Sequence, residues 1–70
     1  MTINYRGKEL HAINQPCIVD EEYCVVRALD ADGNVYNVYW LLIGEKDDDP
    51  SEWCEWELPL NAFLQVGEPL

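Results

Sequence analysis

Apolar and polar residues alternate with a period of two along the first part of the chain, which predicts short β-strands. Ile3 and Tyr5 lie on one side of segment 2–6, with polar residues between them, as in a half-buried strand. Segment 9–13 continues as a second short extended piece, and segment 17–19 is briefly apolar before an acidic triplet. No window of about eleven residues shows a period of 3.6, so the sequence gives little support for helix.

The strongest local signal is a β-hairpin built from segments 23–29 and 35–43. Both segments are rich in β-branched and aromatic residues and contain neither glycine nor proline, as is typical of strands. The five residues between them, 30–34, include an Asp-Gly pair in which Gly33 can adopt the positive φ of a tight turn. We expect this hairpin to lie in the middle of the fold.

Segment 35–43 is apolar on both faces. One face carries Tyr36, Val38, Trp40 and Leu42, and the other carries Val35, Tyr39, Leu41 and Ile43. A strand of this kind must be covered on both faces, which in so small a protein suggests a tightly curled sheet, a capping segment or a partner. One alternative function is therefore a structural role through a twofold homodimer formed by Tyr39, Leu41 and Ile43.

The remaining predicted elements follow a polar acidic loop over residues 44–51. Segment 53–58 alternates again and is predicted as a strand with Cys54, Trp56 and Leu58 inward and Trp53, Glu55 and Glu57 outward. Pro59 interrupts it, a single 3-10 turn is predicted near 59–62, and residues 63–66 form a final strand.

The segment from Leu58 to Leu64 resembles the hydrophobic–Pro–x–Asn–x stretch that closes SH3 folds. Together with the central hairpin and the strand–turn–strand ending, this resemblance implies an SH3-like architecture, without implying proline-rich ligands. We predict an all-β fold, a small five-stranded antiparallel barrel or strongly curled sheet, formed as one domain over residues 1–70.

Charge then narrows the choice of partner. Fourteen acidic residues against four basic ones give the chain a net charge of −10. The basic residues are scattered singly, whereas the acids cluster at 20–22 and between Glu45 and Glu57. Such a surface repels nucleic acid and anionic membranes, so we expect direct binding to neither. A basic protein surface would be attracted and its encounter accelerated.

The number and spacing of the cysteines indicate the cellular compartment and its redox state. Cys17, Cys24 and Cys54 are an odd number and form no C-x-x-C pair. The N-terminus has no basic region followed by an apolar stretch, and no run of 18 apolar residues occurs. We therefore predict a soluble cytoplasmic protein with reduced cysteines, and the alternative is a Cys17–Cys24 disulfide.

The sequence gives weak support for a metal site or a catalytic site. A zinc site of His11 and the three cysteines would lack the paired ligands of tight knuckles. The 30–34 turn resembles a calcium loop, but alignment on Gly33 places Ala28 and Tyr39 at ligand positions. A reactive thiolate is disfavoured by the negative field. We expect no metal, no cofactor and no enzymatic activity.

The acidic run 45–57 has two interpretations. It is a solvated loop that keeps a small β-protein soluble, or it is a recognition surface. An outward Trp53 among acids would suit an interface hot spot, whereas burial under loop 44–51 would make it structural. We predict a non-enzymatic module that binds a basic protein surface through Trp53, Glu55 and Glu57 at the centre, with Asp47, Asp48, Asp49 and Glu52 steering association. A sharper alternative is a DNA-mimic inhibitor of a nucleic-acid-binding protein.

Overall fold

A computed structural model describes residues 1–64 as one antiparallel sheet of six strands with almost no helix. The strands are β1 (Thr2–Tyr5), β2 (Lys8–Ala12), β3 (Cys17–Val19), β4 (Tyr23–Leu29), β5 (Val35–Leu41) and β6 (Asn61–Leu64), and a 3-10 turn covers Pro50–Glu52. The order across the sheet is β1-β2-β4-β5-β6, and β3 pairs with β4. The predicted all-β antiparallel class is confirmed.

Two tight hairpins set the register of the sheet. Arg6 and Gly7, with φ of 51° and 81°, join β1 to β2, because a two-residue turn with both φ values positive matches the twist of the strands. The predicted central hairpin is confirmed, with Leu29 opposite Val35. Its turn closes through the Gly33 N–H, which donates to the Asp30 carbonyl at 3.2 Å, and Gly33 takes a φ of 86°.

Strands β2 and β3 lie one after the other along the same edge of β4. Ala12 is opposite Ala28 and Cys17 is opposite Val25, so four residues, 13–16, face only two, 26 and 27. Because side chains alternate with a period of two, an excess of two residues leaves β2 and β3 in the same inward–outward register relative to β4. The Asn14 side chain accepts from the Arg27 backbone N–H at 2.9 Å and so replaces a lost ladder bond.

The core lies on one face of the sheet, which we call the inner face. Its largest fully buried side chains are Trp40, Ile3, Leu10, Val26, Val38 and Cys24. The segment 44–60 crosses this face, where Cys54 is buried and Trp53 and Trp56 pack against the core. Segment 44–60 therefore covers the inner face of β5, whereas Leu41 and Ile43, from the other face of the predicted strand, are exposed.

Segment 53–58 is not a strand, contrary to the sequence-based prediction. Residues 61–64 occupy the place beside β5 instead, with Ala62 opposite Val38, so segment 44–60 is left to cover the inner face. Leu58, predicted inward, is 72% exposed. The 3-10 turn also lies at Pro50–Glu52 rather than near 59–62, because Asp49 caps it and Asn61 already belongs to β6.

The sheet has six strands rather than the predicted five, and segment 17–19 pairs with β4 as one of them. Within residues 1–64 the path from β1 to β6 does not close on itself, and the SH3-like barrel stays a prediction. The final strand, predicted at 63–66, begins at Asn61, and its predicted end lies outside the described residues. No helix in the described part of the chain is long and apolar enough to cross a membrane.

Candidate functional site

Two acidic clusters that are separate in the sequence meet at one end of the sheet, where β4 begins and β5 ends. The Leu42 N–H donates to the Glu22 carbonyl at 2.8 Å, which ties the 20–22 turn to the residues that lead into the 45–49 loop. We call this region the acidic end and define it as residues 20–22 and 45–49. The Glu22–Leu42 contact continues the register of the central hairpin, in which Tyr23 is opposite Leu41, but the two clusters were not predicted to meet.

A cleft of about 260 Å³ opens between the two clusters, and we call it the acidic cleft. Ile18 and Leu42 give it apolar walls, since both pack against the core. Its other lining residues are Glu21, Gly44, Glu45, Lys46 and Asp47. Apolar walls with three carboxylates around them, against the one ammonium of Lys46, can hold the alkyl stem of a partner's lysine or arginine while the charged head stays among the acids.

A second cleft, of about 180 Å³, lies around the last residues of β5. We call it the leucine cleft, and its lining consists of Trp40, Leu41, Ile43, Glu55 and Leu58. Three of these side chains are largely exposed: Leu41 at 55%, Ile43 at 61% and Leu58 at 72%. Because side chains alternate along an extended chain, Leu42 lines the acidic cleft while Leu41 and Ile43 line the leucine cleft.

All three tryptophans hold the segment 44–60 in place through their indole N–H groups. Trp40 donates to the Trp56 carbonyl at 3.1 Å, Trp53 to the Asp48 carbonyl at 3.1 Å and Trp56 to the Pro50 carbonyl at 3.2 Å. Trp40 and Trp56 also pack edge to face, with ring centroids 4.8 Å apart. These bonds satisfy loop carbonyls that no strand partner reaches.

Trp53 is half-buried and packs against the core. The Ile43 and Gly44 N–H groups both donate to its carbonyl, at 2.8 and 3.0 Å. These contacts give Trp53 a structural role under the acidic loop. Its place at the centre of a partner-binding surface stays a prediction, for a side chain that is half-buried.

Two of the predicted steering residues shape the loop itself. Asp48 accepts from the Glu45 N–H at 2.9 Å, and Asp49 accepts from the Ser51 N–H and hydroxyl at 3.0 Å each. The bonds from the backbone and side chain of Ser51 lower the pKa of Asp49. Both carboxylates are nonetheless exposed and contribute negative charge to this end of the molecule.

The remaining predicted partner-binding residues divide between different places. Asp47 lines the acidic cleft, and Glu55 lines the leucine cleft. Glu57 lies in a third depression with Met1, Thr2, Asn4 and Trp56, and Glu52 ends the 3-10 turn. The structure adds residues that the sequence reasoning missed, above all Glu21, Glu45, Ile18 and Leu42. The acid clusters were visible in the sequence, but their contact was not.

The outer face of the sheet carries a row of aromatic rings. Tyr39 packs edge to face between Tyr23 and Phe63, with centroids 6.1 and 5.8 Å away. Tyr39 is therefore half-buried within its own chain, whereas Leu41 and Ile43 are exposed. The homodimer prediction is not tested by these contacts, but its three residues differ in how much surface they offer.

Cys24 and Cys54 lie together in the core, 0% and 6% exposed. Burial raises the pKa of both thiols, that of Cys54 to about 12, so both are protonated at neutral pH and are poor nucleophiles. Cys17 points to the outer face and is exposed. The alternative Cys17–Cys24 disulfide is therefore wrong, because the two side chains lie on opposite faces and all three thiols are free.

Residues 1–64 contain no group of three or more potential metal ligands. Exposed His11, 3.3 Å from Glu9, is on the outer face with Cys17, away from the buried Cys24 and Cys54. The four candidate zinc ligands are therefore not brought together. No family model, curated protein or solved structure matches this chain.

Proposed function

We propose that this protein is a non-enzymatic interaction module whose acidic end binds a basic surface of another protein. The observation that carries the proposal is the single cleft that Glu21 lines together with Glu45 and Asp47, beside the Leu42–Glu22 hydrogen bond. Carboxylates concentrated around a cleft focus the electrostatic field there, which speeds encounter with a cationic partner and selects its orientation.

The shape of the site supports binding over a merely solvated loop. A solvated loop would need neither the Leu42–Glu22 hydrogen bond nor the three indole bonds that fix segment 44–60. Fixing the acids before binding reduces the conformational entropy that binding must overcome. The buried, protonated thiols and the exposed His11 supply no nucleophile–base pair, which favours the non-enzymatic interpretation.

The test is a capture experiment with paired charge variants. Wild type, the cleft variant Glu21→Gln/Glu45→Gln and the control variant Glu9→Gln/Asp32→Asn are immobilised, and proteins retained from a lysate of the source cells are identified by mass spectrometry. Both doubles change the net charge equally, but Glu9 and Asp32 lie outside the cleft. We expect one or more basic proteins to be retained by wild type and control and lost from the cleft variant.

A salt series on the same captured protein completes the test. Retention should fall as ionic strength rises, because exposed charges are screened over about 8 Å at physiological salt. Equal retention by all three proteins, or retention that is indifferent to salt, contradicts the proposal. Displacement of the captured protein by duplex DNA would support the DNA-mimic form of the same function.

A further inference from the structure

The leucine cleft is an exposed apolar patch on an otherwise highly charged molecule. Seven large hydrophobic residues of the described chain are prominently exposed, and Leu41, Ile43 and Leu58 converge on this one cleft. Leu60 lies where segment 44–60 returns to the sheet, since its N–H donates to the Tyr39 carbonyl at 2.7 Å. Grouped exposed hydrophobics of this kind mark interaction sites more often than singly scattered ones.

The charge at this patch is negative. Glu55 lines the cleft, on a chain with a net charge of −10. Within residues 1–64, the lining of the leucine cleft includes no lysine or arginine. The matching partner surface is apolar at its centre and basic on the side that faces Glu55.

Backbone hydrogen bonding at the patch favours a helical partner over an added strand. The Leu42 N–H donates to the Glu22 carbonyl and the Ile43 N–H to the Trp53 carbonyl, while the pairing of β5 with β6 ends at Tyr39. A peptide that adds as a strand needs a run of free backbone groups on an edge, and the bond from Ile43 interrupts that run next to Leu41. A helix needs only side-chain contacts with a groove.

The dimensions agree with a short helical contact. From Trp40 to Ile43 the chain covers roughly 10 Å at about 3.3 Å per residue, and helix positions i and i+7 are about 10.5 Å apart. The cleft volume of about 180 Å³ is close to the ~150 Å³ of an apolar cavity that accepts benzene. One aliphatic or aromatic anchor from the helix fits there.

We propose that the leucine cleft docks the apolar stripe of a basic amphipathic helix of the partner protein. This inference rests on the proposed function and names the form of the basic surface. A second copy of this chain fits less well, because a twofold contact would bring the Glu55 side chains of the two copies towards each other, and like charges across an interface oppose binding.

The test uses two synthetic peptides of 18 residues made only of leucine and lysine. In the first, leucines follow the i, i+3, i+4, i+7 spacing of one helix face, and in the second the same residues are arranged so that leucines surround the helix. Binding is measured by calorimetry and by amide chemical shifts of ¹⁵N-labelled protein. The matched variants are Ile43→Ser and, as control, Ile13→Ser, whose side chains are 61% and 49% exposed.

We expect the amphipathic peptide to bind and to shift amides of residues 41–44 and 55–58. Ile43→Ser should weaken it roughly tenfold, as truncation of an interface anchor does, while Ile13→Ser leaves it unchanged. Leu58→Ser repeats the test at a side chain that is 72% exposed and therefore not needed for folding.

Three outcomes overturn the inference. Equal binding of both peptides, with shifts confined to the acidic end and no effect of Ile43→Ser, rejects the leucine cleft and leaves the proposed function standing. If neither peptide binds at low salt, both the docking inference and the proposed function are rejected. A dimer seen by sedimentation equilibrium and abolished by Ile43→Ser but not by Ile13→Ser assigns the patch to a second copy.

Discussion

The Lys8 ammonium lies 3.3 Å from the carboxylate of Asp30, whose side chain is 1% exposed. Lys8 begins β2 and Asp30 begins the β4–β5 turn, so the ion pair joins the two hairpins. Tyr36 completes the cluster, because its hydroxyl donates to Asp30 at 3.2 Å and accepts from Lys8 at 3.1 Å. Asp30 also accepts from the backbone N–H groups of Asp32 and Asn34 at 2.9 Å each.

Asp30 should make the fold sensitive to acid. Burial acts to raise the pKa of Asp30, but hydrogen bonds from Asn34, Lys8 and Asp32 outweigh it and hold the pKa well below the usual value of 3.8. Its contribution to stability is therefore complete above about pH 4 and is lost as the pH falls towards the folded-state pKa. Thermal unfolding followed by circular dichroism from pH 7 to pH 2 measures this loss.

The matched variants are Asp30→Asn and Asp32→Asn in the same turn. Asp30→Asn should lower the Tm at pH 7 by several degrees, because the amide cannot accept all the bonds made by the carboxylate. It should also flatten the acid limb, which is the fall in Tm as the pH decreases below about 4. Asp32→Asn, at an exposed position, should retain the wild-type acid limb. An unchanged limb in Asp30→Asn would show that other carboxylates control acid unfolding.

The three cysteines should differ in reactivity. Exposed Cys17 should react at once with iodoacetamide at pH 8, whereas Cys24 and Cys54 are buried and their thiols have raised pKa values. Mass spectrometry should therefore find one label on the native protein and three in denaturant. Rapid addition of three labels to the native protein would mean that segment 44–60 does not cover the core as described.

Gly44 packs closely against the backbone of Glu52 at the end of the 3-10 turn. A Cβ at this position would lie 2.6 Å from the backbone carbonyl oxygen of Glu52, and a backbone atom cannot move aside as a flexible side chain can. We expect Gly44→Ala to destabilise the protein by about 2 kcal/mol, as overpacking does, in urea unfolding. Lys46→Ala, at an exposed position in the same loop, is the control, and equal stability of the two would contradict the close contact.

The 20–22 turn carries strain that a single change should relieve. Asp20 and Glu21 have φ of 54° and 57°, a conformation that disfavours residues with a Cβ. Glu21→Gly should raise stability by about 0.5 kcal/mol, the relief being partly offset by the greater freedom of glycine in the unfolded chain. Glu22→Gly, where φ is not positive, should lower stability, and the opposite order would refute this account of the turn.

The sequence predicted the central hairpin because its signals are local: β-branched residues in segments 23–29 and 35–43, and the Asp-Gly pair between them. It failed at 53–58, where Trp53 and Trp56 alternate with acids as in a strand but donate to the carbonyls of Asp48 and Pro50. No local pattern distinguishes these arrangements, because the difference depends on which segment pairs with β5.

The candidate site was predicted only in part, because some of its features are local in the sequence and others depend on long-range packing. The acidity of residues 45–57 could be seen directly, and Leu41 and Ile43 were predicted to need a cover. The contact between Glu22 and Leu42 continues the predicted hairpin, but the cleft beside it depends on the path of segment 44–60, which no local pattern indicates. Turn residue Asp30 gave no sign of burial either, because its partner Lys8 comes from another hairpin.

The affinity of the amphipathic leucine–lysine peptide in a salt series tests the central claim most directly, with wild type, Glu21→Gln/Glu45→Gln and Glu9→Gln/Asp32→Asn compared. If the acidic end is the site, the cleft double should bind about tenfold more weakly and depend less on salt, since each lost close charge pair costs roughly 0.5–1 kcal/mol. The control double should match wild type within about twofold. Equal losses in both doubles would show that only net charge matters and would contradict a site at the acidic end.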